Sequence, residues 1–255
     1  MTDPARSWTE EDGSLLRLRM TRPKANILDA EMIGALTREL DAQSSNPKLR
    51  GLLLDAEGPH FSFGASVEEH LPEQCEAMLS DFHSLLMKML TLPLTILVVI
   101  RGNCLGGGLE LACSGSLLFA EPDARMGQPE IMLGVFAPAA SCLLPARIGQ
   151  PNTEDLLFSG RSVEGEEALR IGLVNRIDKD PEKAALTYFR EHLVPKSASS
   201  LRHAVLAVRK GVIGNLKQKL KAVEELYLER LMKTGDAVEG LRAFLEKRPP
   251  RWEDC

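Results

Sequence analysis

Apolar and charged residues alternate near the beginning of the chain. Leu16, Leu18 and Met20 point one way along an extended backbone, and Arg17 and Arg19 point the other way. A period of two residues is typical of a strand that buries one face. The pattern therefore predicts a half-exposed β-strand.

The spacing then changes to that of a helix. Ile33, Leu36 and Leu40 lie three and four residues apart, which predicts a helix over residues 29–40. Asp29 stands at its beginning, where a carboxylate can cap free backbone N–H groups. A second helix is predicted over residues 72–90.

Short apolar runs separated by these helices predict further strands. Residues 95–100 are apolar and rich in β-branched side chains, as in a strand covered on both faces. Other candidate strands are residues 51–55, 116–120 and 173–177, and residues 57–66 form a loop rich in glycine, proline and serine. Strands that alternate with helices indicate an α/β domain.

The strand signals end at about residue 180. We therefore predict an α/β core over residues 1–180 and a helical region over residues 181–255. An apolar stripe at helical spacing could cover either the core or a neighbouring subunit, and comprises Leu216, Leu220, Val223, Tyr227 and Leu231. Asp236 and Glu239 resemble a capping box for a last helix, which Pro249 would end.

Composition narrows the class of protein. A chain of 255 residues with 44% apolar residues can bury a core without disulfides or metals. The net charge of −5 offers no overall basic field to nucleic acid or to an anionic membrane. Five scattered cysteines without a CxxC pair argue against a disulfide framework and a zinc site. We find no signal peptide, and the apolar run 92–100 is too short to cross a bilayer, so we expect a cytoplasmic protein.

A glycine-rich turn is the first candidate for chemistry. Gly106, Gly107 and Gly108 follow the strand at 95–100, and Glu110 comes directly after them at the beginning of a helix. Such a turn leaves N–H groups free at the positive end of the helix dipole, where they can stabilise negative charge. The spacing fits neither a P-loop nor a dinucleotide fingerprint. Close helix–strand packing is the alternative explanation for the glycines.

Two further segments carry polar groups in apolar surroundings. Glu130 follows Pro129, and it is either a functional carboxylate or a helix-starting residue placed against the dipole. The loop at residues 61–70 has small side chains that allow a ligand to approach its backbone. His70 and His83 are candidate bases, although a lone histidine usually has a structural role.

Together these segments resemble the crotonase superfamily. The matching motifs are Gly64-Ala65-Ser66, then Gly106-Gly107-Gly108-Leu109-Glu110-Leu111-Ala112, then Gly127-Gln128-Pro129-Glu130, in the family's order and spacing. Asn26-Ile27-Leu28 after Arg22-Pro23-Lys24, and the ending from Glu239 to Arg248, also match, so that the resemblance covers nearly the whole chain. It implies a crotonase α/β spiral of ββα units with a C-terminal helical trimerisation region.

The resemblance also implies roles for particular residues. The backbone N–H groups of Ala65 and Gly107 would form an oxyanion hole for a thioester carbonyl, and Glu110 and Glu130 would be the catalytic acid/base pair. Lys24 and Lys247 match positions that approach the phosphates of CoA, the latter across a subunit boundary. The family implies a homotrimer or a homohexamer, and no cofactor besides the CoA carried by the acyl-CoA substrate.

Two carboxylates favour a hydratase over family members that have one. Addition of water to a conjugated thioester places negative charge on the carbonyl oxygen, which two fixed N–H donors stabilise. One carboxylate can activate water while the other delivers a proton. In an apolar pocket two close carboxylates do not both ionise, so one is kept as the acid.

The segment after Glu130 departs from the usual pattern of the family. Ordinary enoyl-CoA hydratases have a glycine-rich stretch at the positions where this chain reads Val135-Phe136-Ala137-Pro138-Ala139-Ala140. The chain resembles most the subfamily that hydrates cyclohexa-1,5-diene-1-carbonyl-CoA to 6-hydroxycyclohex-1-ene-1-carbonyl-CoA in anaerobic aromatic degradation. Candidate ring contacts, which could equally be ordinary core residues, are Phe63, Met132, Val135 and Phe136.

Two alternatives stay open at this point. One is a hydratase or isomerase that acts on linear enoyl-CoA. The other is a catalytically silent relative that binds acyl-CoA or RNA; the two carboxylates argue against silence, and the acidic balance argues against nucleic acid.

Overall fold

Strands and helices alternate along the computed structural model, which describes residues 3–43 and 46–254. Its strands are β1 (Ala5–Glu10), β2 (Leu15–Met20), β3 (Gly51–Ala56), β4 (Thr95–Ile100), β5 (Asn103–Leu105), β6 (Leu117–Ala120), β7 (Arg125–Gly127), β8 (Ser162–Val163) and β9 (Arg176–Ile177). Its α-helices are α1 (Ala30–Gln43), α2 (Cys75–Thr91), α3 (Gly107–Cys113), α4 (Pro138–Ser159), α5 (Gly165–Arg170), α6 (Pro181–Tyr188), α7 (Ala198–Glu229) and α8 (Gly235–Leu245). The predicted α/β class is confirmed.

The larger sheet has six strands in the order β1-β2-β3-β4-β6-β9. Only the β1–β2 pair is antiparallel within it, and the remaining pairs are parallel. Parallel strands need cover on both faces. The main core lies on one face, and a smaller apolar cluster with Ala185 and Phe189 covers the other.

A smaller sheet holds the strand that leads into the glycine-rich turn at residues 106–108. Its order is β5-β7-β8, with β5 and β7 parallel. Two isolated bridges, Leu28 to Ala65 and Ser62 to Cys104, attach the loop at residues 61–66 to this sheet and to the chain before α1. The loop is thereby held against the beginning of α3.

Most predicted elements are confirmed. Asp29 caps α1 by accepting a hydrogen bond from the N–H of Met32 at 2.9 Å. The predicted strand at residues 173–177 is shorter than expected and spans Arg176–Ile177. Leu173 instead lies in the turn after α5, where its N–H donates to the carbonyl of Ala168 at 2.8 Å.

The prediction that β2 is half-exposed is wrong. Arg17 is 1% exposed, because Asp55 on β3 accepts from its Nε and Nη2 at 3.1 and 2.6 Å and Glu182 of α6 also pairs with it. Arg19 donates to the same Asp55 at 2.8 and 2.5 Å. The alternation located the polar face correctly, but it could not show that α6 covers this face with a carboxylate.

The capping box predicted for the last helix is also wrong. Thr234 caps α8, since its hydroxyl accepts from the N–H of Ala237 at 3.3 Å. Asp236 instead accepts from the N–H groups of Glu253 and Asp254, at 2.8 and 2.9 Å. Glu239 pairs with Arg248. Both carboxylates therefore hold the chain that follows α8.

The helical stripe on α7 covers the core of its own chain. Leu216, Leu220 and Tyr227 are buried there, whereas Leu231 lies beyond the end of α7. The described part of the region after residue 180 contains helices and turns, and its separation from residues 1–180 as a unit stays a prediction. Among the described residues, no helix has the length and apolar character required to span a membrane.

Candidate active site

A cavity of about 680 Å³ lies between the loop of Ala65, the beginning of α3, α2, α8 and the segment 129–138. The structure brings most of the predicted site residues into its wall. These are Phe63, Ala65, Gly107, Glu110, Glu130, Met132, Val135 and Phe136. Lys24 and Lys247 are not part of the wall and are exposed, although their neighbours Ala25 and Arg248 line it.

Two backbone N–H groups are free where the loop of Ala65 meets the beginning of α3. The bridge between Leu28 and the loop uses the carbonyl of Gly64 and the N–H of Ser66, which leaves the N–H of Ala65 without an acceptor among the described residues. Gly107 is the first residue of α3, and its N–H is free in the same sense. The wall thus contains two adjacent donors of the kind that stabilise an oxyanion.

Glycine allows these two segments to meet. Gly64 has a φ of 106°, and a Cβ there would lie 3.0 Å from the carbonyl oxygen of Leu105. The same Cβ would lie 3.5 Å from the nitrogen of Gly107. A side chain at position 64 would therefore be strained and would push the two donors apart.

Glu110 is held by the backbone of α4. Its side chain lies in the first turn of α3, and its Oε1 accepts a hydrogen bond from the N–H of Ala140 at 2.6 Å. Burial raises the pKa of Glu110 to about 7, and the backbone N–H groups of Ala140 and Ala139 oppose that rise. Sequence reasoning missed these two donors, because no local signal connects positions 30 residues apart.

Glu130 is held by a side-chain amide. It lies on the 3₁₀ turn Pro129–Leu133, and the amide of the buried Gln128 donates to its Oε2 and Oε1 at 3.0 and 3.1 Å in the orientation that satisfies both groups. Burial, followed by the charge of Glu110, raises the pKa of Glu130 to about 8. Gly106 has a φ of 51°, and a Cβ there would lie 2.6 Å from Glu130 Oε1, so a side chain at this position would be strained and would displace the carboxyl group. The sequence motif includes Gln128, but it does not predict that the Gln128 amide donates to Glu130.

The two carboxyl groups titrate as a pair. Each has a raised pKa, and the charge of Glu110 adds to the rise in the pKa of Glu130. Near neutral pH the pair can hold a single proton, with one carboxylate ionised as a base and one carboxyl protonated as an acid. This is the protonation that acid/base addition of water requires.

The two candidate histidines lie in different places. His70 lines the cavity, its Nδ1 is 2.7 Å from the carbonyl oxygen of Ser66, and burial lowers its pKa. His83 is buried away from the cavity wall and pairs through Nδ1 with Glu224 of α7. The structure therefore keeps His70, and not His83, as a group that can meet a ligand.

This chain belongs to the enoyl-CoA hydratase/isomerase family, whose model matches residues 10–255. It is 61% identical over 253 residues to the cyclohexa-1,5-dienecarbonyl-CoA hydratase of Thauera aromatica, covering 99% of this chain and 98% of that protein. It is 31% identical to the mitochondrial methylglutaconyl-CoA hydratase of Mus musculus, over 96% of this chain and 81% of that protein.

Solved structures agree on the fold. An enoyl-CoA hydratase from Mycobacterium avium superposes with a TM-score of 0.88 at 22% identity, covering 99% of this chain and 100% of that chain. Another structure, a hydratase from Mycobacterium avium subsp. paratuberculosis K-10, gives a TM-score of 0.85 at 21% identity, covering 98% and 99% of the two chains. The predicted crotonase fold with its C-terminal helical region is confirmed.

Proposed function

We propose that this protein is a hydro-lyase that adds water to cyclohexa-1,5-diene-1-carbonyl-CoA and forms 6-hydroxycyclohex-1-ene-1-carbonyl-CoA. The observation that carries the proposal is the 61% identity, over 99% of the chain, to a relative with this substrate in its name. The paired carboxyl groups in one cavity wall are the chemistry that such a hydration needs.

In the proposed mechanism, the thioester carbonyl accepts hydrogen bonds from the N–H groups of Ala65 and Gly107. Attack of water on ring carbon 2, which is conjugated with the carbonyl, moves negative charge onto the carbonyl oxygen. Fixed donors stabilise that charge, and loss of one donor of this kind costs about 3–4 kcal/mol of activation free energy.

Glu110 acts as the base in this proposal and Glu130 as the acid. Backbone N–H groups can only donate, so the contact with Ala140 favours an ionised Glu110. Glu110 takes one proton from water as its oxygen bonds to carbon 2, and Glu130 delivers a proton to carbon 5. The remaining double bond then lies between carbons 1 and 6, which is the double bond of the product after renumbering.

The acyl group would contact the apolar end of the cavity. Val135 is 1% exposed and Phe136 packs edge-to-face on Tyr227 with ring centroids 5.2 Å apart, so we assign the ring contacts to these two residues. Phe63 and Met132 are 42% and 65% exposed, which fits the rim of the cavity better than its interior. The CoA supplied with the substrate is the only coenzyme in this proposal.

The assembly and the location are proposals as well. Large apolar side chains remain exposed on the single chain, such as Phe158 and Val208. We propose a cytoplasmic homotrimer or homohexamer in which Lys24 and a partner's Lys247 approach the CoA phosphates. Sedimentation analysis of the purified protein tests this, and a monomer at micromolar concentration would contradict it.

Turnover of two thioesters, measured side by side, tests the proposed function. We expect a higher kcat/KM with cyclohexa-1,5-diene-1-carbonyl-CoA than with crotonyl-CoA. A preference for crotonyl-CoA would overturn the ring substrate and leave a hydratase of linear thioesters. Turnover of neither would overturn hydration itself.

A further inference from the structure

His70, like Glu68 and Arg248, is a titratable side chain of the cavity wall that the proposed mechanism does not use. It ends the 3₁₀ turn Glu68–His70, five residues after Ala65, and it contributes to the cavity wall. Most of the surrounding wall is apolar, with Met78, Leu79 and Phe82 of α2 among its residues. A polar atom that faces such a wall needs a partner when a ligand displaces water.

The hydrogen bond of His70 fixes its tautomer. Nδ1 lies 2.7 Å from the carbonyl oxygen of Ser66, and a carbonyl oxygen can only accept, so Nδ1 carries the hydrogen. Burial lowers the pKa of His70, which keeps the imidazole neutral at neutral pH. Its Nε2 is then an acceptor, and it has no partner among residues 3–43 and 46–254.

The imidazole of His70 is hydrogen-bonded to the loop that contains Ala65. The N–H of Ser66 donates to the carbonyl of Leu28 at 3.3 Å, and its hydroxyl accepts from the N–H of Glu69 at 3.4 Å. The carbonyl of the same serine accepts from His70. The position of Nε2 relative to the N–H of Ala65 is therefore set by local contacts of the loop.

The substrate and the product of the proposed reaction differ by one polar group. The product hydroxyl is attached to the ring carbon next to the one that bears the thioester carbonyl. A carbonyl bound at Ala65 therefore brings this hydroxyl close to the loop that holds His70. The attacking water has two O–H bonds, of which one gives its proton to Glu110 and the other remains as the product hydroxyl.

We propose, on the basis of the function proposed above, that His70 Nε2 accepts a hydrogen bond from this second O–H. His70 would orient the attacking water and would recognise the hydroxyl of the product. It is then a specificity-determining residue for hydroxylated ring thioesters, and it contributes nothing to recognition of the CoA arm.

Two substitutions separate this role from a role in the loop. His70→Asn retains an amide donor for the carbonyl of Ser66 but has no atom at the position of Nε2. His70→Gln places an amide oxygen near that position. The first ligand is 6-hydroxycyclohex-1-ene-1-carbonyl-CoA, whose dehydration is measured. The second is cyclohexanecarbonyl-CoA, an unreactive competitor that lacks the hydroxyl.

For His70→Asn we expect kcat/KM for dehydration to fall roughly three- to tenfold, the effect of one neutral hydrogen bond. The inhibition constant of cyclohexanecarbonyl-CoA should stay at the wild-type value, and His70→Gln should recover part of the lost kcat/KM. Two results would overturn the role of His70. One is an equal loss in kcat/KM for dehydration and in affinity for cyclohexanecarbonyl-CoA, and the other is no change in either quantity. Failure of the wild-type protein to hydrate the diene would instead overturn the proposed function, so the two failures are distinguishable.

Discussion

Glu110 and Glu130 differ in the groups that hold them. The backbone N–H of Ala140 can only donate and therefore suits an ionised carboxylate. The Gln128 amide can present its NH₂ group to an ionised Glu130 or, after a half-turn, its oxygen to a protonated one. The environment thus fits a Glu110 that is ionised before it takes the proton of water, and a Glu130 that can be protonated before it delivers its proton.

Substitution of either carboxyl group tests this assignment. Glu110→Gln and Glu130→Gln should each lower kcat by about 100- to 10,000-fold, the usual effect of removing a general acid or base. Steady-state hydration of the ring diene measures the loss, and circular dichroism checks that the variants are folded.

Glu225→Gln is the matched control for these variants. Glu225 is exposed on α7, away from the cavity wall, so this variant should keep the wild-type rate. If Glu110→Gln and Glu130→Gln behaved like the control, neither carboxyl group would take part in the reaction.

The raised pKa values also predict how stability depends on pH. An unfolded chain ionises glutamate near about pH 4.3, whereas in the fold Glu110 and Glu130 hold protons up to about pH 7 and 8. Between these values the folded state binds more protons than the unfolded state. The contribution of both groups to the free energy of unfolding therefore falls as the pH rises.

Glu130→Gln removes one of these groups. Its Tm relative to wild type should consequently rise between about pH 5 and about pH 8, because over this range the unfolded wild type is ionised at Glu130 while the folded wild type still holds the proton. Thermal unfolding of both proteins across this range measures the difference. A Tm difference that stayed constant or fell with pH would show that the pKa of Glu130 is not raised.

At the level of elements, α8 contributes both to the stability of the fold and to the cavity wall. Gly240, Leu241 and Phe244 of α8 line the cavity, and the helix begins at the cap formed by Thr234. A Cβ on Gly240 would lie 2.1 Å from the carbonyl oxygen of Leu133, so α8 packs directly on the segment that carries Glu130.

Loss of the cap should therefore weaken both stability and substrate binding. Thr234→Ala should lower the free energy of unfolding by about 1 kcal/mol and raise KM, because α8 forms part of the wall. Urea unfolding and steady-state kinetics measure the two effects. Thr234→Ser keeps the hydroxyl and is the control; an equal loss of stability in both variants would argue against capping.

At the level of the whole molecule, one face of the large sheet packs against the residues of the cavity, and the other face buries a network of ion pairs. The main core face carries Phe82 and Val135, which also line the cavity. The opposite face buries Asp55 between Arg17 and Arg19, under α6. A buried carboxylate that neutralises two guanidinium groups is costly to remove, because the cations stay behind.

Asp55→Asn should therefore destabilise the fold by about 3–5 kcal/mol, while the folded fraction keeps its wild-type KM. Urea unfolding gives the first value and kinetics below the unfolding transition give the second. Asp123→Asn, at an exposed position, is the control. Wild-type stability of Asp55→Asn would mean that the network contributes nothing to the fold.

Part of the candidate site was predictable and part was not. The motifs placed both carboxyl groups and the loop of Ala65 in one site, and all of them line the cavity. Short motifs are sufficient for this, because a short loop and the first turn of a helix present their groups within a few residues. Contacts between distant segments were not visible, such as the N–H of Ala140 on Glu110 and the burial of Arg17 under α6. The roles carried over for Lys24 and Lys247 stay predictions, since neither lies in the cavity wall of the single chain.

The sequence by itself determined the α/β class, most of the strands and helices, and the family. Local spacing and short motifs are sufficient for these, because period, turns and caps depend on neighbouring residues. The tertiary structure decided which carboxyl group meets which donor, that His70 faces the cavity whereas His83 does not, and that Thr234 caps α8. These features depend on contacts between segments far apart in the chain, and burial and dielectric environment arise only when those segments pack.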